Sequence, residues 1–306
     1  MGKAVNGQLT EKPAVTVLMS NYNGARWLNE AITSVLEQTF TDFEFIIVDD
    51  GSTDKSLAII TQLQQLDPRI VVISKPNTGL VDSLNCGIRQ AHGKYIARMD
   101  ADDISKPYRL QKQVEFLQAH PEIALVSGAM EYIDEKGNIF GRTYPMTSPL
   151  KIRKKILQIC NVIVHPAVLM RRDVVVACGG YSEGLTTVED QHLWMKFLRK
   201  GYQLAMLSEP MILYRVSGMA ISNQKKSEEQ VRLMKEILQY DKPPQVLIDA
   251  FRMEIEKNKD QLVSNALRKA QIQNSIHCKI WQISRKLKSS DKITQKVVCW
   301  LQNILS

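Results

Sequence analysis

Short apolar runs alternate with longer amphipathic segments over residues 14–127 of the 306-residue chain. Five compact, mostly apolar runs predict buried strands, namely AVTVLMS (14–20), FEFIIVDD (43–50), RIVVIS (69–74), KYIARMD (94–100) and IALVSG (123–128). The segments between them carry apolar residues at helical spacing. Strands that alternate with such helices form βαβ units, so we predict an α/β fold with a mainly parallel, Rossmann-like sheet flanked by helices.

The pattern changes after residue 128. The segment EYIDEKGNIFGR (131–142) predicts a hairpin, HPAVLM (165–170) a strand, and residues 150–159 and 189–200 two further helices. From residue 227 the chain is helical in pattern and basic, and Pro243-Pro244 interrupts it. We therefore expect a main domain over residues 13–220 and a basic, mostly helical C-terminal appendage over residues 221–306.

Polar residues cluster where three of the predicted strands end. Ser20-Asn21-Tyr22-Asn23 follows the first strand, Asp49-Asp50-Gly51-Ser52 the second, and Asp100 to Asp103 the fourth. In parallel α/β sheets ligands bind at the carboxyl ends of the strands. The sequence therefore predicts one binding crevice to which all three strand ends contribute.

Three carboxylates crowd into four positions at Asp100, Asp102 and Asp103. An EF-hand calcium loop that starts at Asp100 is excluded, because its sixth and twelfth positions hold Ser105 and Gln111 rather than Gly and Glu. Two interpretations remain open. The acids could cap a helix over residues 107–119, or they could hold Mg²⁺ or Mn²⁺ together with the phosphates of a substrate.

The other polar residues also have a plain alternative to a functional role. Asp49 and Asp50 could shape an Asp-Gly turn or accept hydrogen bonds from a nucleotide. Glu189 and Asp190 open a helix, where acids are favoured by the helix dipole, yet a general base would also fit there. His165 stands alone and shows no metal-ligand spacing with another histidine.

Composition and charge narrow the class of protein. With 44% hydrophobic and 24% charged residues the chain can bury an ordinary core, and it lacks an apolar run long enough to span a bilayer. The N-terminus has no signal-peptide pattern, and five scattered cysteines indicate a reducing compartment, so we expect a cytoplasmic protein. The net charge of +8 lies mostly beyond residue 260, which argues against nucleic acid as a partner of the main domain. No G-x-G-x-x-G or P-loop motif occurs.

Taken in order, the motifs VTVLMSNYNGARW, FIIVDDGSTD, NTGLVDSLNCGI, YIARMDADDISKP, HPAVLMRRD and VEDQHLWMKFLRKG resemble those of family 2 glycosyltransferases with the GT-A fold. The resemblance covers residues 14–216. It implies an inverting enzyme that takes a sugar from a nucleotide-diphosphate sugar, such as a UDP-sugar, with Mg²⁺ or Mn²⁺. The implied acceptor is a hydroxyl of a glycan or lipid-linked molecule in cell-surface polysaccharide biosynthesis. The alternative is a catalytically silent relative that binds nucleotide sugar within a glycan-assembly complex.

The resemblance also assigns roles to single residues. Asp190 matches the catalytic base, and either Asp102 or Asp103 matches the direct metal ligand. Positions that match the nucleotide-sugar pocket are Ser20, Tyr22, Asp49, Asp50, Arg98, Asp100, His165 and Glu189. Ser83-Leu84 stands before Asn85, where many relatives carry an arginine, and Arg98 could supply that contact instead.

Residues 276–305 carry apolar side chains at helical spacing, with Lys and Arg on the remaining faces. Such helices could pack onto the main domain with a solvated basic face. The alternative is that they lie on anionic lipid as a peripheral contact with the inner face of the cell membrane.

Overall fold

A computed structural model of the chain describes residues 12–160, 162–216 and 228–255. The strands are β1 (Val15–Asn21), β2 (Phe43–Asp49), β3 (Ile70–Ser74), β4 (Tyr95–Met99), β5 (Ile104–Ser105), β6 (Ile123–Ile133), β7 (Ile139–Arg142), β8 (Leu169–Arg171) and β9 (Gln203–Arg215). The helices are α1 (Ala25–Leu36), α2 (Ser56–Leu66), α3 (Leu80–Gln90), α4 (Arg109–Ala119), α5 (Pro149–Leu157), α6 (Arg172–Ala177), α7 (Glu189–Arg199), α8 (Glu228–Ile237) and α9 (residues 245–255).

These strands form one sheet in the order β3-β2-β1-β4-β8-β6-β9-β5, with β7 paired to β6. β1, β2, β3 and β4 pair in parallel, as do β6 and β9, whereas β8 joins β4 to β6 through antiparallel pairs. Helices cover both faces of the sheet and bury two apolar cores, one beneath α3, α5 and α7 and the other beneath α1, α2 and α4. The predicted α/β fold with flanking helices is confirmed.

Local differences from the predicted elements have physical reasons. The 131–142 hairpin is confirmed as β6–β7, but His165–Ala167 forms a 3₁₀ turn before β8 rather than the start of a strand. Pro166 in that turn cannot donate a ladder hydrogen bond. β9 was not predicted, because Pro210 interrupts its apolar pattern where its pairing with β6 shifts register.

Helices α8 and α9 pack against the segment that leads into α7. Leu185 and Val188 of that segment share a buried apolar cluster with Leu233, Ile237 and Phe251 of the two helices. Among the described residues no helix is both long and apolar enough to cross a bilayer. Residues 276–305, for which the sequence raised membrane contact, lie outside the described residues.

Candidate functional site

The buried carboxylate of Asp49 is engaged within the protein. It accepts hydrogen bonds from Asn21 Nδ2 at 3.0 Å and from the Ser52 hydroxyl and amide at 2.6 and 3.2 Å. These contacts fasten the end of β1 to the loop after β2. Asp49 therefore shapes the turn after β2 and its position against β1.

Asp50 is buried and grips the loop that leads into α3. Its carboxylate accepts hydrogen bonds from the backbone amides of Thr78 and Gly79 at 2.9 and 2.8 Å and from the Lys75 ammonium. Burial alone would raise the pKa of Asp50, but these hydrogen bonds outweigh it and lower the pKa below the usual 3.8. The positive charge of Lys75 therefore lies near the strand ends, although no sequence motif indicated this residue. Only its position directly after β3 could have suggested it.

Ser20 and Tyr22 lie at the carboxyl end of β1, where they can meet a ligand. Ser20 is half-buried, and Tyr22 is 53% exposed, which is unusual for a large ring beside a buried strand. The two residues are therefore accessible at the end of β1, beside the turn after β2 that Asp49 fastens to that strand.

The three acids after β4 form a compact group. One carboxylate oxygen from each of Asp100, Asp102 and Asp103 lies within 4.8 Å of the others. Burial and the charge of Asp100 raise the pKa of Asp102 to about 6, and burial with both neighbouring acids raises the pKa of Asp103 well above 3.8. The protein alone thus leaves much of the mutual repulsion uncompensated.

These acids do not cap the following helix. α4 begins at Arg109, its N-cap residue Tyr108 makes no side-chain cap, and the amide of Leu110 donates to Oε1 of Gln38 at 3.0 Å, so the capping interpretation is wrong. Asp103 instead accepts a hydrogen bond from the backbone amide of Arg215 at 2.9 Å. The guanidinium of Arg215 donates to the Asp102 carbonyl at 2.9 Å and pairs with Glu30, so the last residue of β9 holds the acid loop. Arg215 was not among the predicted site residues.

The acid group has the chemistry of a divalent-cation site. Oδ2 of Asp103 is buried and has no hydrogen-bond partner among the described residues, although its neighbour Oδ1 is satisfied. An unpaired buried carboxylate oxygen next to two more carboxylates is costly unless a cation shares it. Oxygen ligands of this kind suit the hard cations Mg²⁺ and Mn²⁺.

Arg98 is buried in the centre of the site. Its Nη1 lies 2.5 Å from Oδ2 of Asp100, while its Nε lacks a partner within the described part of the chain. Burial opposes the charge of Arg98, but Asp100 outweighs this effect and raises the pKa of the guanidinium. A permanent cation therefore lies against the acids without removing the repulsion between them.

Glu189 and Asp190 occupy the first turn of α7, and both are buried. Thr187 directly before them has φ of +70°, a strained conformation for a β-branched residue that persists only where its surroundings impose it. Burial and the charge of Asp190 raise the pKa of Glu189 to about 7, whereas Arg98 acts in the opposite direction. The charge of Asp100 also raises the pKa of Glu189, so the acids after β4 lie within electrostatic range of α7.

His165 joins the same site through its two ring nitrogens. Nε2 lies 2.8 Å from the hydroxyl of Tyr181, and Nδ1 lies 3.9 Å from Oε1 of Glu189. Burial and the charge of Arg98 lower the pKa of His165 well below 6.5, so the ring is neutral. Its partner Tyr181 lies in the loop GGYSEGL and was not among the predicted site residues.

Comparison with known proteins identifies the class. Residues 16–178 match the family model described as glycosyl transferase family 2. An uncharacterized glycosyltransferase of Methanocaldococcus jannaschii, MJ1057, is 35% identical over 67% of this chain and 72% of its own length. The amylovoran biosynthesis glycosyltransferase AmsE of Erwinia amylovora is 30% identical over 72% of this chain and 85% of its own length.

The chain belongs to glycosyltransferase family 2 and is a glycosyltransferase, as its sequence motifs predicted. Two solved structures share its fold at low sequence identity. Staphylococcus aureus TarS 1-349 in complex with UDP-GlcNAc has a TM-score of 0.60 at 18% identity, over 89% of this chain and 91% of that one. The mannosyltransferase PcManGT of Pyrobaculum calidifontis with GDP-Man and Mn²⁺ has a TM-score of 0.52 at 17% identity, over 97% and 86%.

Proposed function

We propose that the protein is an inverting, metal-dependent glycosyltransferase that moves a sugar from a UDP-sugar to a hydroxyl of a glycan or lipid-linked acceptor. One observation carries the proposal: the carboxylates after β4 lie within 4.8 Å of one another and share their electrostatic environment with the acids that open α7. A metal–diphosphate site and a general base need this pairing of acid groups.

The comparisons support the choice of substrates. TarS binds UDP-GlcNAc and PcManGT binds GDP-Man with Mn²⁺, so nucleotide-diphosphate sugars are the class of donor to test. The relative AmsE acts in the biosynthesis of a polysaccharide, amylovoran, which supports a glycan acceptor. In our proposal Ser20, Tyr22 and Asp50 border the nucleotide, with Asp49 behind them.

The acids after β4 would hold the cation. Asp103 with its unpartnered Oδ2 and the half-buried Asp102 are the proposed ligands, while Asp100 is shared with Arg98. When bound, a divalent cation neutralises negative charge that builds on the leaving diphosphate. Arg98 adds a fixed positive charge to the same region, and the contacts of Arg215 keep the acid loop in place.

Asp190 is the proposed general base. Its carboxylate would take the proton from the acceptor hydroxyl as that oxygen attacks the anomeric carbon from the side opposite the diphosphate. A single displacement of this kind inverts the anomeric centre and needs no covalent intermediate on the protein. Burial of Glu189 and Asp190 excludes water from the base and strengthens its interactions.

A thermal-shift panel of UDP-, GDP- and dTDP-sugars with and without Mn²⁺ tests this proposal. A donor at 100 times its dissociation constant stabilises the folded protein by about 2.7 kcal/mol, which raises the melting temperature by several degrees. We expect a UDP-sugar to do so only with Mn²⁺, and Asp103→Asn to abolish the effect. No shift with any nucleotide sugar in the presence of Mn²⁺ would contradict the proposal.

A further inference from the structure

The side chain of Asn85 on α3 binds the loop before α7, although the two are almost a hundred residues apart in sequence. Its Oδ1 accepts a hydrogen bond from the amide of Tyr181 at 2.9 Å, and its Nδ2 donates to the carbonyl of the same residue at 2.8 Å. Both backbone groups of one residue are thus bound by one side chain. Gly180 accommodates this contact, because its φ is +64° and a Cβ there would lie 2.7 Å from Asn85 Oδ1.

The same loop is also hydrogen-bonded by α7, the helix that begins with Glu189 and Asp190. Lys196 on α7 is buried and donates hydrogen bonds to the Gly180 carbonyl at 2.6 Å and to the Ser182 hydroxyl at 3.1 Å. The loop is therefore held from α3 on one side and from α7 on the other. This arrangement fixes the direction in which the buried side chain of Tyr181 points.

The Tyr181 side chain meets the ring of His165 while both groups are neutral. Burial raises the pKa of Tyr181, so its phenol stays protonated, and the neutral ring of His165 carries a single N–H. Trp194 packs edge-on against that ring, with centroids 5.9 Å apart, and keeps its plane fixed. A hydroxyl that donates to Nε2 leaves the ring proton on Nδ1, the nitrogen that faces Glu189.

We propose that Asn85, Tyr181 and His165 form a positioning chain for the acid pair at the start of α7. Asn85 places Tyr181, the Tyr181 hydroxyl sets the tautomer and orientation of His165, and the Nδ1–H of His165 holds the carboxyl of Glu189. The separation of 3.9 Å between Nδ1 and Oε1 closes to a hydrogen bond with a shift of about 1 Å. Oε1 is the carboxyl oxygen that faces His165, and Oε2 is buried without a hydrogen-bond partner in the described residues. The role of this positioning chain in sugar transfer rests on the proposed function.

Nuclear magnetic resonance of ¹⁵N-histidine-labelled protein tests the proposed positioning chain, and it needs no substrate. The sequence has five histidines, and His165→Gln assigns the signals of His165. We expect a neutral Nδ1–H tautomer in the native protein and a mixture of tautomers in Tyr181→Phe, with Asn85→Ala shifting the signals in the same direction. Tyr202→Phe, a half-buried tyrosine that packs on Phe197, is the matched control and should change nothing. A native Nε2–H tautomer, a charged ring or unchanged signals in Tyr181→Phe would contradict the proposed positioning chain. This outcome does not depend on whether the protein turns over a donor.

Kinetics with the donor that the thermal-shift panel selects provide a second readout. Loss of one neutral hydrogen bond in the positioning chain should lower kcat about fivefold in Tyr181→Phe and leave the donor KM within about twofold. A purely structural role would lower the melting temperature and change neither kcat nor the tautomer. An unchanged kcat in Tyr181→Phe would overturn the link to the acid pair.

Discussion

Substitution of Glu189 by Gln should stabilise the protein at alkaline pH and have much less effect at acid pH. In the folded protein burial and Asp190 raise the pKa of Glu189 to about 7, against 4.5 for an ordinary glutamate. Folding therefore favours the protonated carboxyl. The contribution of Glu189 to stability is fully present below pH 4.5 and is lost as the pH rises through 7.

The magnitude follows from the difference between the two pKa values. It corresponds to about 3 kcal/mol in the free energy of unfolding once the pH exceeds both values. Glutamine is neutral at every pH and nearly the same size, so Glu189→Gln escapes this cost. We expect the difference in unfolding free energy between the variant and the native protein to change by about 3 kcal/mol between pH 4.5 and 8 in favour of the variant.

Urea unfolding at a series of pH values, with EDTA present so that bound cations do not contribute, measures this difference. Glu183→Gln is the matched control, since Glu183 is exposed in the loop six residues earlier. A Glu189→Gln difference that does not vary between pH 4.5 and 8, or that grows against the variant, would refute the reasoning.

Two further substitutions test the supports of the site. Arg215→Met should lower the free energy of unfolding by about 3 kcal/mol, because it leaves the Asp102 carbonyl and Glu30 without their buried partner. The same variant should weaken Mn²⁺ binding about tenfold in isothermal titration calorimetry. Arg232→Met, on the exposed face of α8, is the control and should change neither quantity. Phe251→Ala should lower the free energy of unfolding in urea by about 3–4 kcal/mol, because it leaves a cavity in the apolar cluster of α8, α9 and the segment before α7. Met253→Ala is the control, since Met253 is 68% exposed, and should lower it by less than about 0.5 kcal/mol. Equal losses in the two variants would contradict the packing of α9.

Local patterns predicted much of the fold. Strands β1 to β4, the first half of β6 and the β6–β7 hairpin were readable from apolar periodicity, because each lies in a continuous run with ordinary turn residues at its ends, whereas the two-residue β5 was not predicted. The placement of β8 between β4 and β6 was not readable. Pairing between strands that are distant in sequence depends on the assembled sheet, and the apolar pattern of a short buried strand fits either direction.

The residue types of the candidate site were also readable, but their partners were not. Asp49 and Asp50 look alike in sequence, yet the hydrogen bonds of Asp49 come from β1 and its own turn, whereas Asp50 holds the loop before α3. Asn85 and Tyr181 are 96 residues apart, and a half-buried asparagine on a helix carries no local sign of such a contact. Roles that arise from long-range contacts therefore need the folded chain.

The rate of nucleoside diphosphate release, with Mn²⁺ and the donor chosen by the thermal-shift panel, is the most direct test of the account. We predict that Asp190→Asn lowers this rate about 10²–10⁴-fold, as expected for loss of a general base, while the donor still raises the melting temperature. Asp173→Asn, which changes an exposed first-turn acid of α6, should leave the rate unchanged. Release by Asp190→Asn within about threefold of the native rate would contradict the assignment of Asp190 as the base.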